Sequence, residues 1–131
     1  MARRAVEGRG TYVDDLVLPR LVDVAYVRSP YAHADIADID VSAAAAVPGV
    51  IAVVTGTEIA ERMTPWLGVM ENQPALKTVP QYALAVDRAR WQGEPVCAIV
   101  AETRSIAEDA ADLVAVDWRE LPAVTRMETA L

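Results

Sequence analysis

A single histidine, His33, is the side chain in this sequence best suited to moving a proton near neutral pH. Ser29 and Asp35 lie close to it along the chain and supply a hydroxyl and a carboxylate, so a small hydrolase using His33 is one hypothesis. Catalytic groups of this kind are usually assembled from distant parts of a chain, and close spacing therefore does not establish a site. A structural or interface role is the favoured interpretation of His33.

The sequence offers few ligands for a metal ion or a cluster. One cysteine excludes an internal disulfide and any cluster built on several thiolates, and one histidine excludes multi-histidine metal sites. That cysteine, Cys97, stands between Val96 and Ala98 in an apolar run, which is typical of a buried thiol. Asp14 and Asp15 alone make a weak cation site. We therefore expect this chain itself to bind no metal or cofactor.

The segment 91–95, Trp-Gln-Gly-Glu-Pro, has the composition of a turn that leads into a strand. Its glycine permits a positive φ or a close backbone approach, and its proline favours a defined start to the strand. Two interpretations stay open, a plain turn with a core tryptophan or a turn presented to a partner or cofactor. The second interpretation defines a candidate interface. Its residues are Arg28, His33, Trp66, Trp91, Gln92, Gly93, Glu94 and Pro95.

Composition limits the class of protein. The 131 residues are 53% hydrophobic and contain no phenylalanine, which predicts one ordered domain, residues 1–131, with an unusual core. The formal net charge of −7 argues against nucleic acid as a partner, because phosphate backbones need a basic face. No apolar run is long enough for a membrane helix, and the amino terminus lacks the apolar region of a signal peptide. We therefore expect a cytoplasmic protein that binds no membrane.

Hydrophobic alternation predicts the elements that would position these residues. Residues 21–28 are apolar on both faces, which predicts a strand buried on both sides. Residues 34–41 predict a strand with Ala37 on its apolar face, together with Ile39 and Val41, and the compact run 50–55 predicts another.

The last third of the chain predicts a β-α-β unit. A strand at 96–101 is followed by a helix whose Ser105 and Glu108 match a capping box, and then by an alternating strand that ends near 119. Ile106, Ala110 and Leu113 form the predicted core stripe of the helix. The fold class that follows is α+β, with a mixed sheet, short helices and this C-terminal unit.

Residues 62–82 contain four of the chain's prolines and glycines and no sustained periodicity, which predicts a long loop. Met63, Trp66, Leu67, Val69 and Met70 make it apolar. We expect it to expose a surface through which the isolated chain self-associates. In a second hypothesis, the chain is a self-sufficient small-molecule binding module with this loop as its lid.

Several segments together resemble the α/β hammerhead domain, the N-terminal domain of the molybdenum-binding large subunit in the xanthine dehydrogenase, aldehyde oxidase and carbon monoxide dehydrogenase family. The resemblance covers nearly the whole chain, in order and spacing. The matching segments are Gly-Arg-Gly-Thr-Tyr-Val-Asp-Asp (8–15), Val-Arg-Ser-Pro-Tyr-Ala-His-Ala (27–34), Val-Pro-Gly-Val-Ile-Ala-Val (47–53), Gly-Glu-Pro-Val (93–96), Val-Ala-Glu-Thr (100–103) and Leu-Pro-Ala-Val (121–124). Tyr31 and Asp35 depart from the family's turn, where a histidine and a basic residue are common.

The resemblance implies a non-catalytic structural and assembly domain of a molybdopterin-dependent oxidoreductase. In that family the molybdopterin-binding segments, the glycine-rich loops and the essential glutamate lie in later domains. No catalytic, cofactor or metal residue is therefore carried over to this chain, which we expect to be inactive alone. The implied partners are the molybdenum-binding domains of the same enzyme and its iron–sulfur and FAD subunits or domains. From the apolar residues at the end of the sequence, we expect a domain boundary inside a longer protein.

Overall fold

The computed structural model describes residues 2–68, 75 and 77–130. Within these ranges no helix combines the length and the apolar character that a membrane crossing needs. Two short 3₁₀ turns, Val13–Asp15 and Met127–Thr129, lie outside the main elements. The helices and strands are α1 (Ala2–Val6), β1 (Asp23–Arg28), β2 (Ala34–Asp40), α2 (Ser42–Ala45), β3 (Val50–Thr55), α3 (Gly56–Ala60), β4 (Arg88–Ala89), β5 (Pro95–Ala101), α4 (Arg104–Ala111) and β6 (Ala115–Glu120).

The described strands form two antiparallel sheets of three strands. The first has the order β1-β5-β3, and the second has the order β4-β2-β6. The predicted α+β class is confirmed, whereas the predicted mixed sheet is corrected. The reason is that β5 and β6, which flank α4, pair in different sheets, so the C-terminal unit does not make the parallel pair that a single mixed sheet requires.

The core lies between the first sheet and α4. Cys97, Ile99 and Ala101 of β5 are fully buried, and Ala107 and Ala110 of α4 lie in the same cluster. Side chains of the second sheet also pack against this cluster. Since the sequence has no phenylalanine, the largest fully buried side chains are only Ile99, Val96 and Cys97. Small residues let the sheet and the helix approach closely.

The first strand is buried on one face only. Ala25 and Val27 pack against the core, while Val24 and Tyr26 are 46% and 48% exposed. We expected residues 21–28 to be buried on both faces. This expectation is wrong for the face that carries Val24 and Tyr26 in this chain.

A β-bulge changes which face of β2 is apolar. The pairing of β2 with β6 shifts between Ile36 and Asp38, so Ala37 is an extra, exposed residue. Ile36 and Ile39 both pack against the core, although they are three positions apart. The predicted placement of Ala37 on the apolar face is corrected for this reason.

Helix α4 begins and ends differently from its prediction. The Thr103 hydroxyl accepts a hydrogen bond from the Ile106 backbone N–H at 3.4 Å, so Thr103, rather than Ser105, is the N-cap. The helix ends at Ala111, and Leu113 therefore lies past its last turn and is 49% exposed. Ile106 and Ala110 remain on the core face, as predicted.

The outward face of the second sheet is charged. Asp35 receives hydrogen bonds from Arg88 at 2.6 Å and from Arg119 at 2.7 Å, which joins β2 to both of its neighbours. These bonds, with Arg88 contributing most, hold the pKa of Asp35 below its usual value. Asp38 and Asp117, which are paired on this face, are exposed.

The packing predicts a large loss of stability when one residue is shortened to alanine and a small loss when another is. Ile99→Ala removes a fully buried side chain from the core and is expected to lower the free energy of unfolding by about 2–5 kcal/mol. Leu113→Ala, at a half-exposed position, is expected to cost under about 1 kcal/mol. Urea unfolding followed by circular dichroism measures both. A loss above about 2 kcal/mol for Leu113→Ala would show that Leu113 is buried and would contradict this prediction.

The Asp35 ion pairs predict a pH-dependent stability. Because its folded-state pKa is lowered, Asp35 contributes stability above its ordinary value of 3.8, and this contribution is lost as the pH falls through the folded pKa. Asp35→Asn is expected to lower the melting temperature at pH 7 and to differ less from wild type below about pH 3. Thermal melts from pH 7 down to about pH 2 measure this, with the exposed Asp38→Asn as control. A difference that is constant with pH would contradict the assignment.

Candidate functional site

The turn at 28–33 and the turn at 91–95 are joined through their backbones. The Ser29 N–H donates to the Glu94 carbonyl at 2.9 Å, and the Gly93 N–H donates to the Ser29 carbonyl at 2.8 Å. The Arg28 guanidinium donates to the Gly93 carbonyl at 2.9 Å. Gly93 has a φ of 88°, which explains why the turn carries glycine at this position. The two turns that the sequence singled out are therefore one structural unit.

Glu94 fixes the shape of this unit from inside. It is only 5% exposed, and its carboxylate accepts hydrogen bonds from the backbone N–H groups of Arg90 and Trp91. Burial raises the pKa of Glu94, while these N–H donors and the charge of Arg90 act in the opposite direction. Within the candidate interface, Glu94 is thus a positioning residue whose side chain faces the turn.

His33 connects the turn at 28–33 to the segment after β6. Its Nδ1 lies 2.8 Å from the Pro122 carbonyl oxygen, and because a carbonyl only accepts, Nδ1 is the donor. The backbone repeats the connection, since the Leu121 N–H donates to the His33 carbonyl at 2.9 Å. This ring nitrogen is therefore engaged in holding two segments together.

The residues of the hydrolase hypothesis have other partners. The Ser29 hydroxyl is buried, donates to the Tyr31 carbonyl at 2.9 Å and accepts from the Tyr31 N–H at 3.1 Å. Asp35 is held by two arginines, as described above. Among the described contacts, neither group meets His33. The geometry therefore gives no support to a nucleophile and base at this site.

A cleft of about 460 Å³ opens where these segments meet. Trp91 and Gln92 form one wall, Ala32 and His33 another, and residues 122–125 the third. Arg90 also lines the cleft, with one guanidinium nitrogen donating to the Arg88 carbonyl at 3.0 Å. The half-exposed indole beside an amide and a guanidinium is suited to contact with another protein segment, because it combines apolar area with hydrogen-bond donors.

The cleft includes residues that the sequence analysis did not select. Arg90 and the segment 122–125 were not among the candidate interface residues. Leu121 to Val124 entered only as part of a family resemblance. The hydrogen bond between His33 and Pro122 joins residues 89 positions apart in the chain, and no local pattern in the sequence predicts such a contact.

Trp66 stands apart from this unit. Its backbone forms a bridge with Gln81 through hydrogen bonds of 2.8 and 2.9 Å, and its side chain is 63% exposed. None of the described cleft lining comes from the described part of residues 62–82, so that part of the loop gives no support for a lid over the cleft. Met63 and Leu67 are exposed, whereas Val69 and Met70 lie outside the described residues. Self-association through this loop stays a prediction.

The one thiol of the chain does not fit an iron–sulfur cluster or a metal. Cys97 is fully buried in β5, and burial, followed by the charge of Glu58, raises its pKa to about 11. A thiol of this kind stays protonated at neutral pH and is a poor ligand. In the part of the chain that the structure describes, no three potential metal-ligating side chains are grouped together.

Comparison with known proteins identifies the segment as a recurring domain. The family described as "Aldehyde oxidase and xanthine dehydrogenase, a/b hammerhead domain" matches residues 7–122. The structure of quinoline 2-oxidoreductase from Pseudomonas putida 86 superposes with a TM-score of 0.92 at 45% identity. That superposition covers 98% of this chain and 16% of the quinoline enzyme's chain.

Two relatives are large subunits. The nicotine 6-hydroxylase large subunit of Paenarthrobacter nicotinovorans is 39% identical over 92% of this chain and 15% of its own length. The carbon monoxide dehydrogenase large chain of Afipia carboxidovorans is 39% identical over 91% of this chain and 14% of its own length. The chain thus spans about one-seventh of these proteins, and the resemblance seen in the sequence is confirmed. The chain belongs to the α/β hammerhead domain family of the aldehyde oxidases and xanthine dehydrogenases, a domain of the molybdenum hydroxylases.

Proposed function

We propose that this chain is a non-catalytic structural and assembly domain of a molybdopterin-dependent hydroxylase. The observation that carries the proposal is the extent of the match. The family covers residues 7–122 of this chain, yet the chain covers only 14–15% of the two relatives. A segment with this share of a large enzyme contributes to its architecture, while most of the polypeptide remains to hold cofactor and substrate.

The chemistry of the chain's own residues supports a non-catalytic role. His33 Nδ1 is bound to the Pro122 carbonyl, and Ser29 is bound to the Tyr31 backbone. An iron–sulfur cluster needs about four thiolates, and the sequence has one, which is buried.

The proposed partners follow from the family. They are the molybdenum-binding part of the same polypeptide and the iron–sulfur and FAD subunits or domains of the complete enzyme. The names of the relatives support this, since each is called a large subunit or large chain. The complete enzyme would be a cytoplasmic oxidoreductase that hydroxylates a carbon centre with oxygen from water, or that oxidises carbon monoxide. The cleft formed by Trp91, Gln92 and His33 is the proposed contact with a neighbouring domain.

The proposal predicts the metal content and the genetic context of the chain. The isolated 131 residues are expected to fold without molybdenum, iron or flavin and to show no hydroxylase activity. Metal analysis and absorption spectroscopy of untagged protein measure this. The reading frame after Leu131 is expected to continue into glycine-rich loops and a late glutamate. About one molybdenum or iron per chain would contradict the proposal.

The cleft predicts a residue that is needed for docking. Trp91→Ala is expected to weaken binding of this chain to the polypeptide encoded after residue 131 by about ten-fold or more, since a half-exposed indole would be lost from the contact. Leu113→Ala is the matched control, because Leu113 is similarly exposed and does not line the cleft. Calorimetry with the two separately expressed chains measures both affinities. Equal losses for the two variants would remove the cleft from the interface.

A further inference from the structure

The two sheets of this chain differ in the faces that they turn away from the core. The second sheet follows the usual rule for antiparallel sheets, with an apolar inner face and a charged outer face that includes Asp35, Asp38, Asp117 and Arg119. The first sheet does not follow it. Its inner face packs on α4, and its outer face is apolar as well.

The pairing of the strands defines this outer face as two rows of three side chains. In the first row, Val24 of β1 pairs with Val100 of β5, which pairs with Ala52 of β3. In the second row, Tyr26 pairs with Ala98, and Ala98 pairs with Val54. None of the six side chains is charged. The outer face of the first sheet therefore consists of Val24, Tyr26, Ala52, Val54, Ala98 and Val100.

The outer face is open in this chain. Val24 and Tyr26 are nearly half exposed, and Ala52 is exposed. Val54, Ala98 and Val100 are partly exposed, although Val100 and Ala98 lie in the central strand. At the rim, the Arg28 guanidinium carbon lies 5.4 Å from the centre of the Tyr26 ring. Arg28 also contacts Gly93, so this face continues into the turns that form the cleft.

The second face of an antiparallel sheet usually carries polar side chains, so an uncharged second face is suited to contact with another protein part. We infer that the outer face of the first sheet is the docking surface for a neighbouring part of the same large-subunit polypeptide, which covers it with apolar side chains. This inference rests on the proposed function. The sequence supports it independently, since β1 carries the two-sided apolar pattern of a strand buried on both faces.

The size of the face favours a tethered neighbour over a second copy of this chain. Three strands spaced about 4.8 Å apart, with two rows of side chains and a rise of about 3.3 Å per residue, give a face of roughly 190 Å². A stable complex of separate proteins buries about 800 Å² on each partner. The outer face alone is smaller than that, but it continues into the cleft, so a neighbouring part of the same polypeptide that covers both surfaces has the area to bind even when expressed separately. The quinoline enzyme has enough polypeptide for such a neighbour, since 84% of its chain lies outside the matched segment.

The test uses lysine substitutions on the outer face, Val24→Lys and Ala52→Lys. In the isolated chain these positions face solvent, so melting temperatures are expected within about 3 °C of wild type. In binding to the separately expressed polypeptide encoded after residue 131, each variant is expected to lose about ten-fold or more in affinity, because docking would bury the lysine. Ala37→Lys is the matched control, an exposed alanine in a strand of the second sheet, and is expected to bind within about two-fold of wild type.

A second measurement needs no substitution. Hydroxyl-radical labelling of Tyr26 is expected to be strong in the isolated chain and several-fold weaker in the assembled large subunit. If a lysine variant fails to fold, this labelling still tests whether the outer face is covered. The docking surface alone would be overturned by two results together: the lysine variants bind as tightly as the wild type, and Tyr26 is still labelled strongly in the assembled large subunit. Failure of the wild-type chain to bind would instead overturn the proposed function. Concentration-dependent self-association that Val24→Lys abolishes would assign the face to a second copy.

Discussion

The rest of the structure depends on the burial of one central strand, β5. It pairs with β1 on one side and β3 on the other, and Val96, Cys97, Ile99 and Ala101 within it are fully buried. Because its inner side chains are small, α4 lies close against it, and the burial of Cys97 keeps its thiol protonated. The turn that leads into β5 is held in shape by a buried glutamate. The cleft is therefore built on the start of the most deeply buried strand of the sheet.

Much of the fold could be predicted from local patterns in the sequence. The alternation and the apolar runs gave the positions of β3, β5 and β6 to within one or two residues. Two features could not be predicted, because they depend on contacts between distant segments. The bulge at Ala37 is set by pairing with β6, and the exposure of Leu113 follows from where α4 must end to release the chain into β6. Which strands pair, and in which direction, was likewise decided by non-local contacts.

The candidate site was predictable where its residues act locally. Gly93 adopts the positive φ that its place before a Glu-Pro pair suggested, and the resemblance selected both turns. The bond of His33 to Pro122 and the inward orientation of Glu94 could not be read from the sequence, since each depends on backbone groups brought together by folding. Trp66 was selected as an apolar residue of the 62–82 loop, which was expected to expose an apolar surface. Exposure alone does not place a residue in a particular surface.

The order of the strands also constrains how the chain is made. Asp23 pairs with Ala101, and Ala34 pairs with Glu120, so the first two strands leave the ribosome long before their partners exist. At translation rates of about 5–20 residues per second, β1 waits roughly 4–15 s for β5. During that interval its apolar residues are exposed in a nascent chain. Production of this domain in a cell is therefore expected to depend on chaperones that bind the emerging amino-terminal segment.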